Sequence, residues 1–252
     1  VLKVRIMPTL LYKEVGLVKG VRFDSWRRVG SAMQTVKVYN LRQVDELVLL
    51  DIRATLDDRG PDLVAVDELA DECFMPLTVG GGVRTIDDVR SLLTVGADKV
   101  SINTAAIENP GFIREVADRF GSQCVVVSID ASRQADGTYQ VYTHAGTRCA
   151  GLDPVAVARE AERMGAGEIL LTSIDHDGAM DGYDLELTRR VAEAVRVPVI
   201  ASGGAGNYQH MAEALRIGHA SAVAAASMFH FTEQTPLEAK RYLGELGFAV
   251  RR

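Results

Sequence analysis

A closed (β/α)8 barrel made of two like halves, forming one domain over 1–252, is the fold this sequence predicts, on three observations. The 252 residues alternate eight short apolar runs with eight longer amphipathic ones, and eight β-then-α units in about 250 residues match that barrel. The apolar run from Pro76 breaks into Gly80-Gly81-Gly82, and the run from Pro198 breaks into Gly203-Gly204-Ala205-Gly206, with the prolines 198 − 76 = 122 positions apart. Two further segments echo in the same order: Glu46-Leu47-Val48-Leu49-Leu50 by Glu168-Ile169-Leu170-Leu171-Thr172, and the stretch 96–105 by 218–227. Such internal similarity indicates duplication, which favours a closed barrel over an open doubly wound sheet.

Strands are expected at 4–11, 46–52, 76–79, 99–102, 124–130, 168–172, 197–201 and 221–225, where short apolar runs end in glycine or polar residues. Helices are expected at 32–40, 62–72, 86–94, 111–120, 154–164, 185–195, 207–216 and 236–246, from apolar positions at helical spacing. Thr85 before Ile86-Asp87-Asp88 and Asp153 before Pro154 read as N-caps, whereas Gly96, Gly165 and Gly218 follow helix ends.

Composition narrows the function classes. With 47% hydrophobic and 25% charged residues, the chain can bury one sizeable core. A net charge of −6 argues against a general nucleic-acid surface. No run nears the roughly 18 apolar residues of a membrane span, and Val1-Leu2-Lys3-Val4-Arg5 lacks a signal-peptide apolar region, so a cytoplasmic protein without membrane contact is expected. Cys73, Cys124 and Cys149 are odd in number and widely spaced, which supports neither disulfides nor a zinc site; Cys124 is expected to be buried.

Consecutive glycines after a strand leave backbone N–H groups bare, the arrangement that holds anions. The expected phosphate residues are Gly81 and Gly82 with Asn103 and Thr104 in one half, and Gly203 and Gly204 with Ala226 and Ser227 in the other. Two symmetric copies at one barrel mouth imply a long ligand carrying a phosphate at each end.

The motifs Val18-Lys19-Gly20, Asp45-Glu46-Leu47, Thr78-Val79-Gly80-Gly81-Gly82, Ala97-Asp98-Lys99-Val100-Ser101-Ile102-Asn103, Phe120-Gly121-Ser122-Gln123, Leu170-Leu171-Thr172-Ser173-Ile174-Asp175, Ile200 to Gly206 and Phe229-His230-Phe231 run in order along the whole chain. In them the chain resembles the cyclase subunit of imidazole glycerol phosphate synthase, a lyase of histidine biosynthesis. The resemblance implies a heterodimer with a glutaminase at the N-terminal face of the barrel. Ammonia released there crosses the interior to the cyclase site, without a metal or cofactor. It also implies an ammonia gate of Arg5, Glu46, Lys99 and Glu168, a partner contact at Asp98, Lys19 on a mobile covering loop, and substrate-face residues Asp51, Asp175 and Asp177.

For its chemistry that family uses two carboxylates, at the ends of the first and fifth strands. Asp130 matches the second, but Leu11 stands at the first, and leucine neither gives nor takes a proton. Lys13-Glu14-Val15-Gly16-Leu17 and Gly30-Ser31-Ala32 also depart from the family's Asp-Gly and Gly-Asp-Pro. A retained gate with a lost carboxylate resembles a second branch of the family, expected to supply ammonia to a separate sugar amidotransferase that makes acetamidino groups in surface polysaccharide. Three other readings stand beside it: an active cyclase with Glu14 or Asp51 in the missing role, a phosphoribosyl isomerase of the same half-barrel type, and a scaffold that only activates the glutaminase.

The remaining motifs decide less. Asp175-His176-Asp177 is not read as metal-binding, since ligand sets converge from several segments, and Asp175 and Asp177 are read as substrate-face residues. His144, His210, His219 and His230 are read as structural or surface, and Trp26 as surface packing, with covering of the barrel mouth or contact with a partner as the alternatives.

Overall fold

The chain folds as an α/β barrel with parallel strands inside and helices outside. A computed structural model describes residues 3–14 and 16–251; Val1, Leu2, Val15 and Arg252 lie outside the described residues. The barrel strands are β1 (Arg5–Lys13), β4 (Leu47–Asp51), β5 (Leu77–Gly80), β6 (Lys99–Ile102), β7 (Val125–Arg133), β10 (Glu168–Ser173), β11 (Val199–Ser202) and β12 (Ala222–Ala225). Each pairs in parallel with the next, and β12 pairs back to β1, which closes the ring.

All eight expected strands are present, each within a few residues of its expected bounds. Four further strands were not expected: β2 (Gly16–Val21) and β3 (Asp24–Gly30), then β8 (Tyr139–Thr143) and β9 (Arg148–Cys149). Each pair is an antiparallel hairpin that continues a barrel strand, β2 off β1 and β8 off β7. The insertion therefore falls after the first strand of each half, a structural echo that the sequence hides.

The expected helices are α1 (Ala32–Leu41), α2 (Leu63–Ala70), α3 (Ile86–Thr94), α5 (Pro110–Phe120), α6 (Pro154–Arg163), α7 (Leu185–Ala192), α8 (Tyr208–Arg216) and α10 (Pro236–Glu245). Thr85 and Asp88 close a capping box on α3, and the Asp153 carboxylate accepts from the Ala156 N–H, removing unpaired donors at each helix start. The expected helix from 62 begins one residue later, because Asp62 is its cap and accepts from the Ala65 N–H. Two short helices were missed, α4 (Thr104–Glu108) and α9 (Ser227–Phe231), one after the last strand of each half.

Apolar burial falls into two bodies. The larger packs the outer faces of the strands against the helices. The smaller fills the barrel bore with Met7, Val48, Val126, Leu170, Ile200, Ala222 and Ala224, as alternating strand residues must when one face points to the axis. Cys124 is half-buried rather than buried, and Cys149 is exposed. Among the described residues no helix is long and apolar enough to cross a membrane.

Candidate functional site

The strand registers place the two halves on each other. Leu11 lies opposite Leu50 and Asp130 opposite Thr172, and 172 − 50 = 122, the offset of the sequence repeat. Leu11 and Asp130 are therefore equivalent positions, each at the mouth end of the first strand of its half. Thr9 and Ser128 are equivalent in the same way, opposite Val48 and Leu170. All four line one cavity of about 500 Å³ at the C-terminal ends of the strands, the end where barrel chemistry is built.

Asp130 is buried, and burial first, then the Asp177 charge, pushes its carboxyl up to about 7, against opposing hydrogen bonds from Thr172 and Ser128. Such a group can hold or release a proton near neutrality. Its equivalent, Leu11, is buried with apolar atoms only, so the cavity has a proton carrier on one wall and none at the matching place on the other. Glu14, one candidate to replace the missing carboxylate, is exposed at the β1–β2 turn and does not line the cavity. Asp51, the other, does line it. One of its oxygens accepts from the Arg53 and Ala54 N–H groups at 2.9 and 3.0 Å, and the other meets Arg59 at 2.7 Å.

The two glycine loops face this cavity as the repeat predicts. Gly81 has φ +106° and Gly203 φ +87°, and a Cβ would strike the Asp51 carbonyl oxygen at 2.3 Å or that of Ser173 at 2.6 Å. Asp51 and Ser173 are again 173 − 51 = 122 apart, so both loops turn beneath equivalent carbonyls, in a way open only to glycine. Asn103, Thr104, Ala226 and Ser227 complete the lining on each side. The Asn103 amide, however, points inward to the Ser128 carbonyl at 3.1 Å and to Asp130 at 3.4 Å.

Lys19 stands on β2 and is 2% exposed, with its ammonium 2.8 and 2.7 Å from the two Asp177 oxygens. Asp177 lies in the loop after β10, so this pair ties the β2–β3 hairpin to the opposite half. The Arg22 N–H donates to the Asp177 carbonyl at 2.7 Å, and a Cβ on Gly178 would lie 2.2 Å from the Gly20 carbonyl oxygen. On its other edge, Arg27 stacks over the Phe231 ring at 3.6 Å. The hairpin roofs the cavity, and Phe23 and Trp26 line it from above. Trp26 is thus part of the cavity wall, not plain surface packing.

Asp175, His176 and Asp177 point to three separate partners. Asp175 accepts from Ser132 Oγ at 2.9 Å and the Arg133 N–H at 2.7 Å, His176 meets Asp181 at 3.0 Å, and Asp177 holds Lys19. Of the expected substrate-face residues, Asp51 and Asp177 line the cavity and Asp175 does not. His144 does line it, on the β8–β9 turn, which corrects its reading as structural or surface. No sequence signal marked it, because only the hairpin brings it to the mouth. His230 is mostly buried, and burial lowers its imidazole to about 4, with Lys19 adding to the effect.

At the other end of the barrel, Arg5, Glu46, Lys99 and Glu168 close an alternating ring. Arg5 meets Glu46 at 2.8 Å and Glu168 at 2.9 Å, while Lys99 meets Glu46 at 2.9 Å and Glu168 at 3.1 Å. Thr78 Oγ1 also donates to Glu46 at 2.8 Å. Charges so enclosed are tolerable only when each is paired, and here each cation touches both anions. Asp98 is exposed on the same rim, where it accepts from the Leu77 N–H at 2.8 Å. Between ring and cavity lies the apolar filling of the bore, with Met7, Val48, Val126 and Leu170 outside the cavity lining.

One comparison with known proteins bears on this arrangement: a family model described as "Histidine biosynthesis protein" matches residues 5–235.

Proposed function

The chain belongs to the histidine biosynthesis protein family, and from that premise we propose that it is a barrel of the cyclase type that accepts ammonia from a glutaminase subunit and passes it on without performing the cyclase reaction. The observation that carries this reading is the equivalence of Leu11 and Asp130 across the repeat. A reaction that needs acid and base on both walls lacks one of its two groups, and such a loss commonly costs about 10²- to 10⁴-fold in rate.

The base of the barrel supports the accepting role. In this reading the ring of Arg5, Glu46, Lys99 and Glu168 is a gate whose ion pairs part to admit ammonia, and the bore above it is apolar. An apolar bore passes neutral ammonia more readily than ammonium, because a bare charge pays heavily for leaving water. Asp98, exposed on the same rim, is the glutaminase contact in this reading. Ammonia is formed there as glutamine and water give glutamate. The acceptor in this reading is a third protein, a sugar amidotransferase of surface polysaccharide synthesis that makes acetamidino groups. The cavity keeps two glycine loops for a phosphorylated ligand.

The test is to purify the chain with its glutaminase and follow loss of the bisphosphorylated cyclase substrate at saturating ammonium, which bypasses the partner's hydrolysis. No turnover with the glutaminase bound is the expected result. Turnover near that of an ordinary cyclase overturns the reading and returns the chain to histidine biosynthesis. A bulky residue at Val48 or Leu170 separates conduit from scaffold: glutaminase activity persists, while ammonia transfer stops only if the bore conducts.

A further inference from the structure

Two arcs of the barrel ring join the glycine loop after β5 to the one after β11. One runs through β6, β7 and β10, and the other through β4, β1 and β12. Where they line the cavity, the first arc presents Asn103, Asp130 and Thr172, and the second presents Leu50, Leu11 and Ala224. One side of the mouth is polar and the other is hydrocarbon.

The polar arc is satisfied from within. Asp130 accepts from Ser128 Oγ at 3.5 Å and from the Asn103 amide at 3.4 Å, and Thr172 hydrogen-bonds the same carboxyl. Asn103 also donates to the Ser128 carbonyl at 3.1 Å. These groups are spent on one another, so the arc asks for no polar partner from a ligand.

The hydrocarbon arc has no substitute for what it lacks. Thr9 is equivalent to Ser128, and two residues along its strand it meets Leu11 where Ser128 meets Asp130. Thr9 Oγ1 is buried without a hydrogen-bond partner among the described residues. Such an orphaned hydroxyl shows that no other acceptor has moved into the place of the missing carboxylate. Asp51, at the end of β4, is already held by Arg59 and by the Arg53 and Ala54 N–H groups. Phe23 and Trp26 extend the apolar surface from the hairpin above.

We infer that the ligand of this cavity carries an anionic group at each end and a hydrocarbon middle, and that Leu11 and Leu50 select for that middle. The inference rests on reading both glycine loops as anion sites, as the proposed function does. A hydroxyl or ether oxygen against Leu11 gives up its water and gains no hydrogen bond in return. A methylene chain or an apolar ring at the same place loses nothing polar and buries surface. Leu11 is then a specificity-determining residue as well as the mark of a lost proton carrier.

Matched pairs of two-ended phosphates test this. Alkane-α,ω-diol bisphosphates with five, eight and eleven atoms between the phosphate oxygens are compared with the di-, tri- and tetraethylene glycol bisphosphates of equal length. Charge and span are the same within each pair, and only the middle differs. Each is titrated into the full chain by calorimetry. At the length that binds best, the alkane member is expected to bind tighter by about 10- to 100-fold, the range over which an apolar pocket rejects an added polar atom. Leu11→Asn and Leu50→Thr, each of which gives the hydrocarbon arc a polar group in the manner of its equivalent, are expected to cut that preference by about tenfold. Equal binding of the two series in the parent chain, or a preference that survives unchanged in the folded variants, overturns selection by Leu11 and Leu50 and leaves the anion loops standing. Binding of neither series at any length overturns both.

Discussion

Lys19 and Asp177 form a two-pronged ion pair, at 2.8 and 2.7 Å, between the hairpin over the cavity and the loop after β10. In Lys19→Met the Asp177 carboxylate is left buried without its cation, a change that costs on the order of 3 kcal/mol and raises the open hairpin population about 100-fold. Proteolysis within 16–30 accelerates accordingly, and Trp26 emission shifts to the red. Adding Asp177→Leu to Lys19→Met removes the orphaned charge and restores much of the protection, which a double-mutant cycle on the cleavage rate measures.

The raised carboxyl of Asp130 makes stability depend on pH. Its ordinary value is 3.8 and burial with the Asp177 charge lifts it to about 7. Between those values the unfolded chain has lost the proton and the folded chain keeps it, so stability falls as pH rises from about 4 to about 7 and is level above. Asp130→Asn cannot ionise. Its unfolding free energy from urea melts gains on the parent through that window, by an amount on the order of a few kcal/mol, and the two curves run parallel at higher pH.

Glu46→Ala takes one of two anions from the ring and leaves Arg5 and Lys99 to share Glu168. The uncompensated cation costs on the order of 3 kcal/mol of unfolding free energy. Urea denaturation shows this as a lower midpoint with an unchanged slope.

Leu11→Asp puts a second carboxylate on the opposite cavity wall, at the position equivalent to Asp130. Formation of imidazole glycerol phosphate at saturating ammonium then rises by about 10²-fold or more over the parent chain, the scale of one acid or base group. If the variant folds and remains silent, more than one carboxylate separates this barrel from a working cyclase.

The barrel was legible because its strands are short apolar runs that end in glycine or polar residues, and because Glu46 and Glu168 mark the two halves at one spacing. The hairpins were not. Arg22 and Phe23 turn between β2 and β3 with φ of +52° and +60°, where a two-residue hairpin usually advertises itself with asparagine or glycine. The exposed strand Asp24–Gly30 shows no buried alternating face either. His144 and Trp26 reach the cavity only through those hairpins, so their place followed from tertiary structure alone. Asn103 was rightly placed at the mouth, but the direction of its amide depends on Ser128, 25 residues away.

The two registers carry one more consequence, for recombination. By the equivalences that pair Leu11 with Asp130 (130 − 11 = 119) and Thr78 with Ile200 (200 − 78 = 122), Cys124 and Ala222 stand where the first half has Arg5 and Lys99. Both cations of the ring therefore come from the first half, and the carboxyl proton carrier of the mouth comes from the second. A barrel of two second halves gains a carboxylate pair at the mouth and faces two glutamates across its base with no cation. A barrel of two first halves has cations in excess below and two leucines above. Each half thus supplies what the other lacks at both ends of the barrel.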